Sequence, residues 1–331
     1  MDVRALLIVN PLATSLTVAA RERVIGTLGR EADLTVTETR YRGHAGELAR
    51  KAVTDGLDTV ITLGGDGTLN EAVNGLLSDS GGPDDARGPD DVRGHGDLGD
   101  PGDTARLPAI VPLPAGSANV FARSLGLPRD LDRAARLVRS ALRGGRRRPL
   151  TLGHADGRYF TFCAGLGLDA EVVRAVDEQR SAGLRATPAR YVTTAVRRFF
   201  ATDRRDPALT VEVPGGPVID RVLLGIVANT APWTYAGPLP VNPTPRARLA
   251  GGLDVLTVRR MDLLSSLALL AAMVAPGGIR AGHPGTAALH DRSAFTIRAS
   301  RPVAFQMDGE YLGERTTVSF TTISDAVRLA V

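Results

Sequence analysis

Through the first half of the chain, short runs of apolar and β-branched residues alternate with longer segments whose apolar residues recur every three or four positions. The short runs predict strands at residues 5–9, 34–37, 59–63 and 109–113, and the longer segments predict helices at 15–28, 45–55, 68–77 and 117–125. Alternation of this kind predicts a parallel, doubly wound sheet. Ligands of such sheets lie beyond the carboxyl ends of the strands. Four features land there: Asn10-Pro11, the segment from Thr39 to His44, the glycines from Gly64, and the stretch from Pro114 to Asn119.

From residue 149 the pattern shortens to strands joined by turns, with Asp156-Gly157 a hairpin signal and further strands at 209–213, 218–227, 253–258, 295–299, 303–307 and 317–320. Helices interrupt them at 170–178, 188–200 and 263–275, and the proline-rich stretch 232–245, carrying Trp233 and Tyr235, reads as a loop. The fold expected is an α/β doubly wound domain, residues 1–148 completed by 322–331, and a mostly antiparallel, β-rich domain, residues 149–321. Residues 78–107 are rich in Gly, Asp, Pro and Arg and almost free of apolar side chains, a composition expected of a disordered insertion without a catalytic part.

Composition narrows the chemistry. With 331 residues, 43% of them hydrophobic and 23% charged, the chain suits a globular protein of about two domains. Its formal charge is +4 and its pI near 9.7, yet Lys51 is the sole lysine. A phosphate loop that ends in lysine is therefore excluded, and phosphate charge must be met by arginine, metal and backbone amides. Cys163 is the sole cysteine, which excludes an internal disulfide and fits a reducing cytoplasm; among Phe160, Phe162 and Ala164 it reads as a buried small hydrophobe. The apolar run 5–9 is too short for a signal peptide. The longest one, 263–275, falls short of the roughly 20 residues of a membrane span and reads as a buried or membrane-facing helix. The arginines from Arg143 to Arg148 are read either as a solvated linker or as a contact for anionic lipid headgroups.

The chemistry concentrates at Gly64-Gly65-Asp66-Gly67. Its three glycines permit positive φ and let a phosphate approach the backbone without meeting a Cβ. Thr68 and Glu71 have the spacing of a capping box, which places the helix start at Thr68 and turns its first amides toward an anion. Asp66 is out of place among such amides unless a divalent cation bridges it to phosphate or it takes a proton during reaction. The bare motif also fits a tight turn with Asp66 solvated and Glu71 a cap. Gly165-Leu166-Gly167-Leu168-Asp169-Ala170 looks like a dinucleotide fingerprint, but helical sequence follows where a second strand ending in an acid is needed, so that reading is rejected.

The longer stretch Gly64-Gly65-Asp66-Gly67-Thr68-Leu69-Asn70-Glu71-Ala72-Val73-Asn74-Gly75-Leu76 resembles the nucleotide-binding loop of the diacylglycerol kinase catalytic family, which includes sphingosine and ceramide kinases. Its Gly-Gly-Asp-Gly core is shared with NAD kinases. Pro114-Ala115-Gly116-Ser117-Ala118-Asn119-Val120-Phe121-Ala122-Arg123 is similar to the family's Pro-x-Gly-Thr-x-Asn-Asp-Phe-Ala-Arg, with Ser117 keeping a hydroxyl able to cap the helix. Gln306-Met307-Asp308-Gly309-Glu310 is similar to the family's Asp-Gly-Glu near the C-terminus, although Asp-Gly between strands is also a common hairpin turn. Val120 stands where the family has Asp. Ala250-Gly251 stands where it often has Asp-Gly, an acid that some bacterial members use in a structural metal site, leaving Asp254 as the one metal candidate there.

The resemblance implies an ATP-dependent lipid kinase acting on diacylglycerol or a related lipid, with ATP on the α/β domain, the lipid hydroxyl presented from the β-rich domain, and reaction in the cleft between. Gly64, Gly65, Gly67 and Thr68 would cradle phosphates; Asn10, Pro11, Thr39, Glu71, Gly116, Ser117 and Asn119 would line the nucleotide side. Asp66 would engage Mg2+ through the phosphates or orient the hydroxyl, Glu310 would take the hydroxyl proton, and Asp169 and Asp308 would belong to the lipid site. The enzyme so implied is cytoplasmic and peripheral at the inner face of the membrane, with an anionic membrane surface and no nucleic acid among its partners. Its oligomeric state is not legible. Two rivals stay open: an NAD kinase-like small-molecule kinase, opposed by the Pro114 and Asp308 stretches, and a catalytically silent lipid-binding or regulatory protein, opposed by Asp66 together with Glu310.

Overall fold

In the computed structural model, which describes residues 3–78, 106–181, 193–194, 197, 206–280 and 282–331, the first four apolar runs form β1 (Val3–Val9), β2 (Ala32–Glu38), β3 (Thr59–Gly64) and β4 (Ala109–Pro114). The insertion expected at 78–107 and the helix expected at 188–200 lie almost wholly outside the described residues. The chain divides into two units, one of Met1–Ala122, Gly126–Leu150 and Asp325–Val331, the other of Arg123–Leu125 and Thr151–Ser324.

In the first unit the four strands are parallel, in the order β4-β3-β1-β2. Every residue of β3 and β4 is buried, as runs of apolar and β-branched residues without a charge suit strands covered on both faces. The connecting helices are α1 (Val18–Leu28), α2 (His44–Thr54), α3 (Asp66–Leu77), the short α4 (Val120–Ser124) and α5 (Leu131–Arg143). Val24 and Leu28 of α1 and Ala134, Ala135, Val138 and Leu142 of α5 share one core with Leu7, Val9, Ile61, Leu63, Val111 and Leu113 of the sheet. α2 and α3 cross at bare backbone, since a Cβ on Gly75 would lie 2.1 Å from the Gly46 carbonyl oxygen. The sequence reading lacked α5. Its buried positions keep helical spacing, and Asp130 caps it by accepting from the Arg133 N–H at 2.7 Å, but the arginines between them dilute the apolar signal.

The second unit holds most of β5 (Arg148–Ala155), β6 (Arg158–Phe160), β7 (Cys163–Gly167), α6 (Leu168–Ser181), β8 (Leu209–Glu212), β9 (Val218–Val222), β10 (Leu224–Ala228), β11 (Thr234–Ala236), β12 (Leu239–Val241), β13 (Leu253–Val258), α7 (Leu263–Val274), β14 (Thr286–Arg292), β15 (Ala294–Met307) and most of β16 (Glu310–Leu329). Antiparallel pairing runs β14-β13-β10-β7-β15-β16, and β15 also pairs with β8. Asp156 and Gly157 make the expected hairpin, with φ of 53° and 72°. The strand expected at 218–227 is two strands, β9 and β10; those expected at 295–299 and 303–307 are one, β15, with a register shift between Arg298 and Val303. The loop expected at 232–245 contains the small hairpin β11-β12. Four phenylalanines fill the core: the Phe320 ring stacks on Phe295 at 4.9 Å and meets Phe160 and Phe305 edge-on at 6.3 Å.

Candidate functional site

In the first unit the carboxyl ends of β1, β3 and β4 converge. Ala115 and Gly116 both donate their N–H to the Gly64 carbonyl, and a Cβ on Gly116 would sit 2.5 Å from the Gly65 Cα. The two glycine loops therefore touch through backbone alone. A Cβ on Gly64 would strike the Thr68 hydroxyl at 2.6 Å, and that hydroxyl accepts from Asn10 Nδ2 at 3.1 Å. Asn119, at a φ of 50°, clamps the second loop: its Oδ1 accepts from the Gly116 N–H at 2.8 Å and its Nδ2 donates to the Gly116 carbonyl at 2.7 Å. Gly67 is exposed and a Cβ there would meet nothing within 4 Å, so the outer side of the loop is open.

The helix start differs from expectation. α3 begins at Asp66 with Gly65 as N-cap, and no Thr68–Glu71 capping box forms, because tertiary partners claim both side chains. Thr68 is held by Asn10, while Glu71 Oε2 accepts from the Ala45 N–H at 3.3 Å, capping α2, whose own N-cap is Gly43. The Leu69 N–H is the first to bond back into α3, to the Gly65 carbonyl, so the amides of Asp66, Gly67 and Thr68 precede the first helical bond.

Asp66 is not a merely solvated turn residue. Its carboxylate accepts from the Val120 N–H at 2.9 Å and the Phe121 N–H at 3.0 Å, so it caps α4. Ser117, expected to cap that helix, is exposed, and Asp66 serves the first amides instead. Val120 is 2% exposed, a core side chain. Thr39 donates its N–H to the Val9 carbonyl at 2.8 Å at the end of β2, and Pro11 is exposed beyond β1, both on the same edge of the sheet.

In the second unit Asp308 and Gly309 form the two-residue turn between β15 and β16, with φ of 47° and 77°. Both angles are left-handed, as such a turn demands. Asp308 is 8% exposed, and its carboxylate accepts from Thr161 N–H and Oγ1 at 2.7 and 2.8 Å, Phe162 N–H at 2.9 Å and Cys163 N–H at 3.0 Å. It is turned into its own unit and holds the start of β7 against the hairpin.

Gln306, 1% exposed, links that turn to Asp169. Its Oε1 accepts from the Gly309 N–H at 3.0 Å and its Nε2 donates to Asp169 Oδ2 at 2.7 Å. The Gly309 N–H can only donate, so it fixes which way the amide points. Desolvation raises the Asp169 carboxyl from its ordinary value to about 6, against the opposing hydrogen bond from Gln306. A Cβ on Gly165 would lie 2.0 Å from Asp169 Oδ2, so the glycine that mimicked a dinucleotide fingerprint makes room for this carboxylate. Glu310 Oε2 accepts from Arg158 at 2.5 Å, in a pair that is about a quarter exposed. Asp169, Gln306, the turn and Glu310 thus form one connected group.

Sequence reasoning gave no role to Gln306 or Arg158. Gln306 stands inside the quoted motif, two residues before Asp308, and Arg158 directly follows the Asp156-Gly157 turn, but only the fold shows what each reaches. Asp254, the metal candidate of the sequence, lies on β13. It is 3% exposed, and its Oδ1 accepts from the Asp291 N–H at 3.0 Å and lies 2.7 Å from His290 Nδ1. Among the described residues no three His, Cys, Asp or Glu side chains gather as a metal site.

Comparison with known proteins shows what the chain is similar to. Residues 4–154 match the diacylglycerol kinase catalytic domain. Over 130 residues the chain is 35% identical to the diacylglycerol kinase of Bacillus subtilis (strain 168), a stretch that is 39% of this chain and 33% of that protein. Over 136 residues it is 35% identical to lipid kinase YegS of Escherichia coli (strain K12), 40% of this chain and 37% of that protein. The chain thus spans about a third of the length of the curated relatives it matches. A crystal structure of a diacylglycerol kinase from Bacillus anthracis str. Sterne superposes with a TM-score of 0.69 at 18% identity, covering 99% of this chain and 96% of that one. A second structure from that organism gives 0.73 at 19% identity, with the same coverage. Residues 4–154, a little under half of the chain, are thus similar to the diacylglycerol kinase catalytic domain, and over 99% of its length the chain shares the fold of those solved structures.

Proposed function

We propose that this protein is a lipid kinase that transfers the γ-phosphoryl group of ATP to the hydroxyl of diacylglycerol or a related lipid. The observation that carries this is the pair of glycine loops in backbone contact, Gly65 on Gly116, with the Asp66 carboxylate at the start of α3 held by the first amides of α4. Backbone amides would hold the phosphates, Asn10 and Asn119 would keep the two loops in place, and Thr68 would be fixed by Asn10. Transfer of this kind is largely positioning and charge neutralisation.

The residues present fit magnesium bound through phosphates. Asp66 is a carboxylate at the start of α3, held there by the α4 amides, and a carboxylate oxygen is the kind of hard ligand that magnesium takes. Mg2+ is commonly held by one or two carboxylates plus substrate phosphates, which needs no protein cage. When bound it would neutralise phosphate charge.

Gly116→Val would drive a side chain into the Gly65 backbone and is expected to weaken binding of a non-hydrolysable ATP analogue by about tenfold or more. Unchanged affinity in a folded variant would contradict the nucleotide assignment.

On the acceptor side, the lipid oxygen bonds to phosphorus, the bond from phosphorus to ADP breaks, and the hydroxyl proton leaves. Glu310 would receive that proton, its carboxylate held by Arg158, and Asp169 would orient the hydroxyl. A second reading gives the proton to Asp169. Burial raises that carboxyl to about 6, close to where a base works best at neutral pH. Under the second reading the acid limb of the pH–rate profile near that value disappears in Asp169→Asn together with most of the turnover; under the first the limb persists and KM rises.

The raised value also sets a stability trend. The native chain holds this proton more tightly than the unfolded chain, so the stabilising contribution is present at low pH and is lost as pH rises through about 6. Asp169→Asn should therefore gain in thermal midpoint relative to the wild type between pH about 4 and neutrality. A difference flat in pH would contradict the burial argument.

The remaining proposals concern location. Contact with the inner face of an anionic membrane would bring the enzyme to its lipid, and the exposed Arg146, Arg147 and Arg148 supply charge of the right sign. Among the described residues no helix is long and apolar enough to cross a membrane.

A further inference from the structure

If the acceptor is a bilayer lipid, as proposed above, some surface of the protein must meet the bilayer, and α7 has the character of that surface. All of its residues except Ser265 and Ser266 are apolar, yet only Leu269 and Met273 are buried, in a core with Ile226, Leu256 and Val258. On the face away from that core, Leu263, Leu267, Leu270 and Val274 follow at helical spacing with exposures of 51%, 55%, 57% and 42%, and Leu264 beside them is 78% exposed. A helix that is apolar all round is normally buried all round, and a continuous exposed apolar stripe marks a contact surface.

Charge identifies the occupant. Between Asp262 and Asp291 the sequence contains no Asp or Glu. The Asp262 carboxylate itself is engaged by the Ser265 N–H and hydroxyl and by Arg260 Nε. Arg259, paired with Asp220, and Arg260, paired with Asp262, precede the helix, and the exposed Arg280 follows it. The stripe thus lies in an acid-free segment that carries Arg280, and the one acid at its start, Asp262, is offset by Arg260. A second copy docked on this face would bring arginines onto arginines, whereas an anionic headgroup layer complements them.

We propose that α7 docks the protein on anionic membranes: it lies along the interface with the Leu263, Leu267, Leu270 and Val274 stripe in the acyl boundary and Arg260 and Arg280 at the headgroups. About 18 Å of helix suits a segment lying in the plane of the interface.

The test uses the full chain and co-sedimentation with vesicles of phosphatidylcholine, alone or mixed with phosphatidylglycerol. The wild type should bind the mixed vesicles, and the double variant Leu267→Glu, Leu270→Glu should bind about a hundredfold more weakly, with its thermal midpoint kept because both side chains already face solvent. The double alanine variant should lose affinity in the same direction, by less. Binding of the glutamate variant equal to that of the wild type overturns the proposal. So does a wild-type dimer that the glutamates split while vesicle binding stays unchanged, since a second copy would then cover the face. Phosphorylation of a short-chain, dispersed diacylglycerol separates this inference from the kinase reading. Equal rates in wild type and variant support docking as the affected step, whereas no reaction in either, with vesicle binding still dependent on the leucines, overturns the kinase reading and leaves docking standing.

Discussion

Asp66→Asn is expected to lower phosphotransfer by roughly a hundredfold or more while the chain remains folded. The lost charge is one that the reaction needs, whether to hold a phosphate-bound cation or to orient the attacking hydroxyl. The structural cost is smaller but not zero, because the carboxylate accepts from both Val120 and Phe121. An asparagine can keep one of those bonds through its oxygen, and its amide nitrogen then faces the other donor. That loss is about 1–2 kcal/mol. Turnover and thermal midpoint should therefore be measured on the same preparation, with a fall of a few degrees expected in the midpoint. Wild-type turnover alongside that lowered midpoint would make Asp66 a cap of α4 and nothing more.

Asp308→Ala should produce the largest loss of stability, roughly 4 kcal/mol or more, because it strands three backbone N–H groups and a hydroxyl in a nearly closed site. Two positions later the expectation reverses. Glu310→Gln gives up a partly exposed ion pair with Arg158, worth about 1 kcal/mol or less, but should lose most of the phosphotransfer. Denaturant unfolding of both variants separates the two roles. Asp308→Ala within about 1 kcal/mol of wild type would show that the turn holds without its carboxylate and would return that residue to the acceptor site.

The parallel strands were legible because each is built on a short run of apolar and β-branched residues, and the glycine loop because three glycines beside an aspartate are hard to explain otherwise. What escaped depends on residues distant in sequence. Thr68 and Glu71 match a capping box, but Asn10 and the start of α2 lie closer in the folded chain and take both side chains. Asp66 reaches α4 across 54 positions and Asp308 reaches Thr161 across 147, distances over which no local pattern operates. Periodicity found the apolar segment of α7 but could not say which face the rest of the unit would cover. Asp-Gly before Glu310 read as a hairpin turn, yet the four donors to its aspartate lie far back in the sequence, on the stretch from Thr161 to Cys163 that leads into β7.

The central claim is that the glycine loops of the first unit hold ATP for transfer to a lipid hydroxyl. Its most direct test is incubation of the purified chain with γ-labelled ATP, a magnesium salt and a panel of diacylglycerol, other hydroxyl lipids and NAD, followed by separation of labelled products. Label on a lipid, lost in Asp66→Asn and in Glu310→Gln, is the predicted result. Label on NAD alone, or on nothing while ATP or lipid still binds, would contradict it.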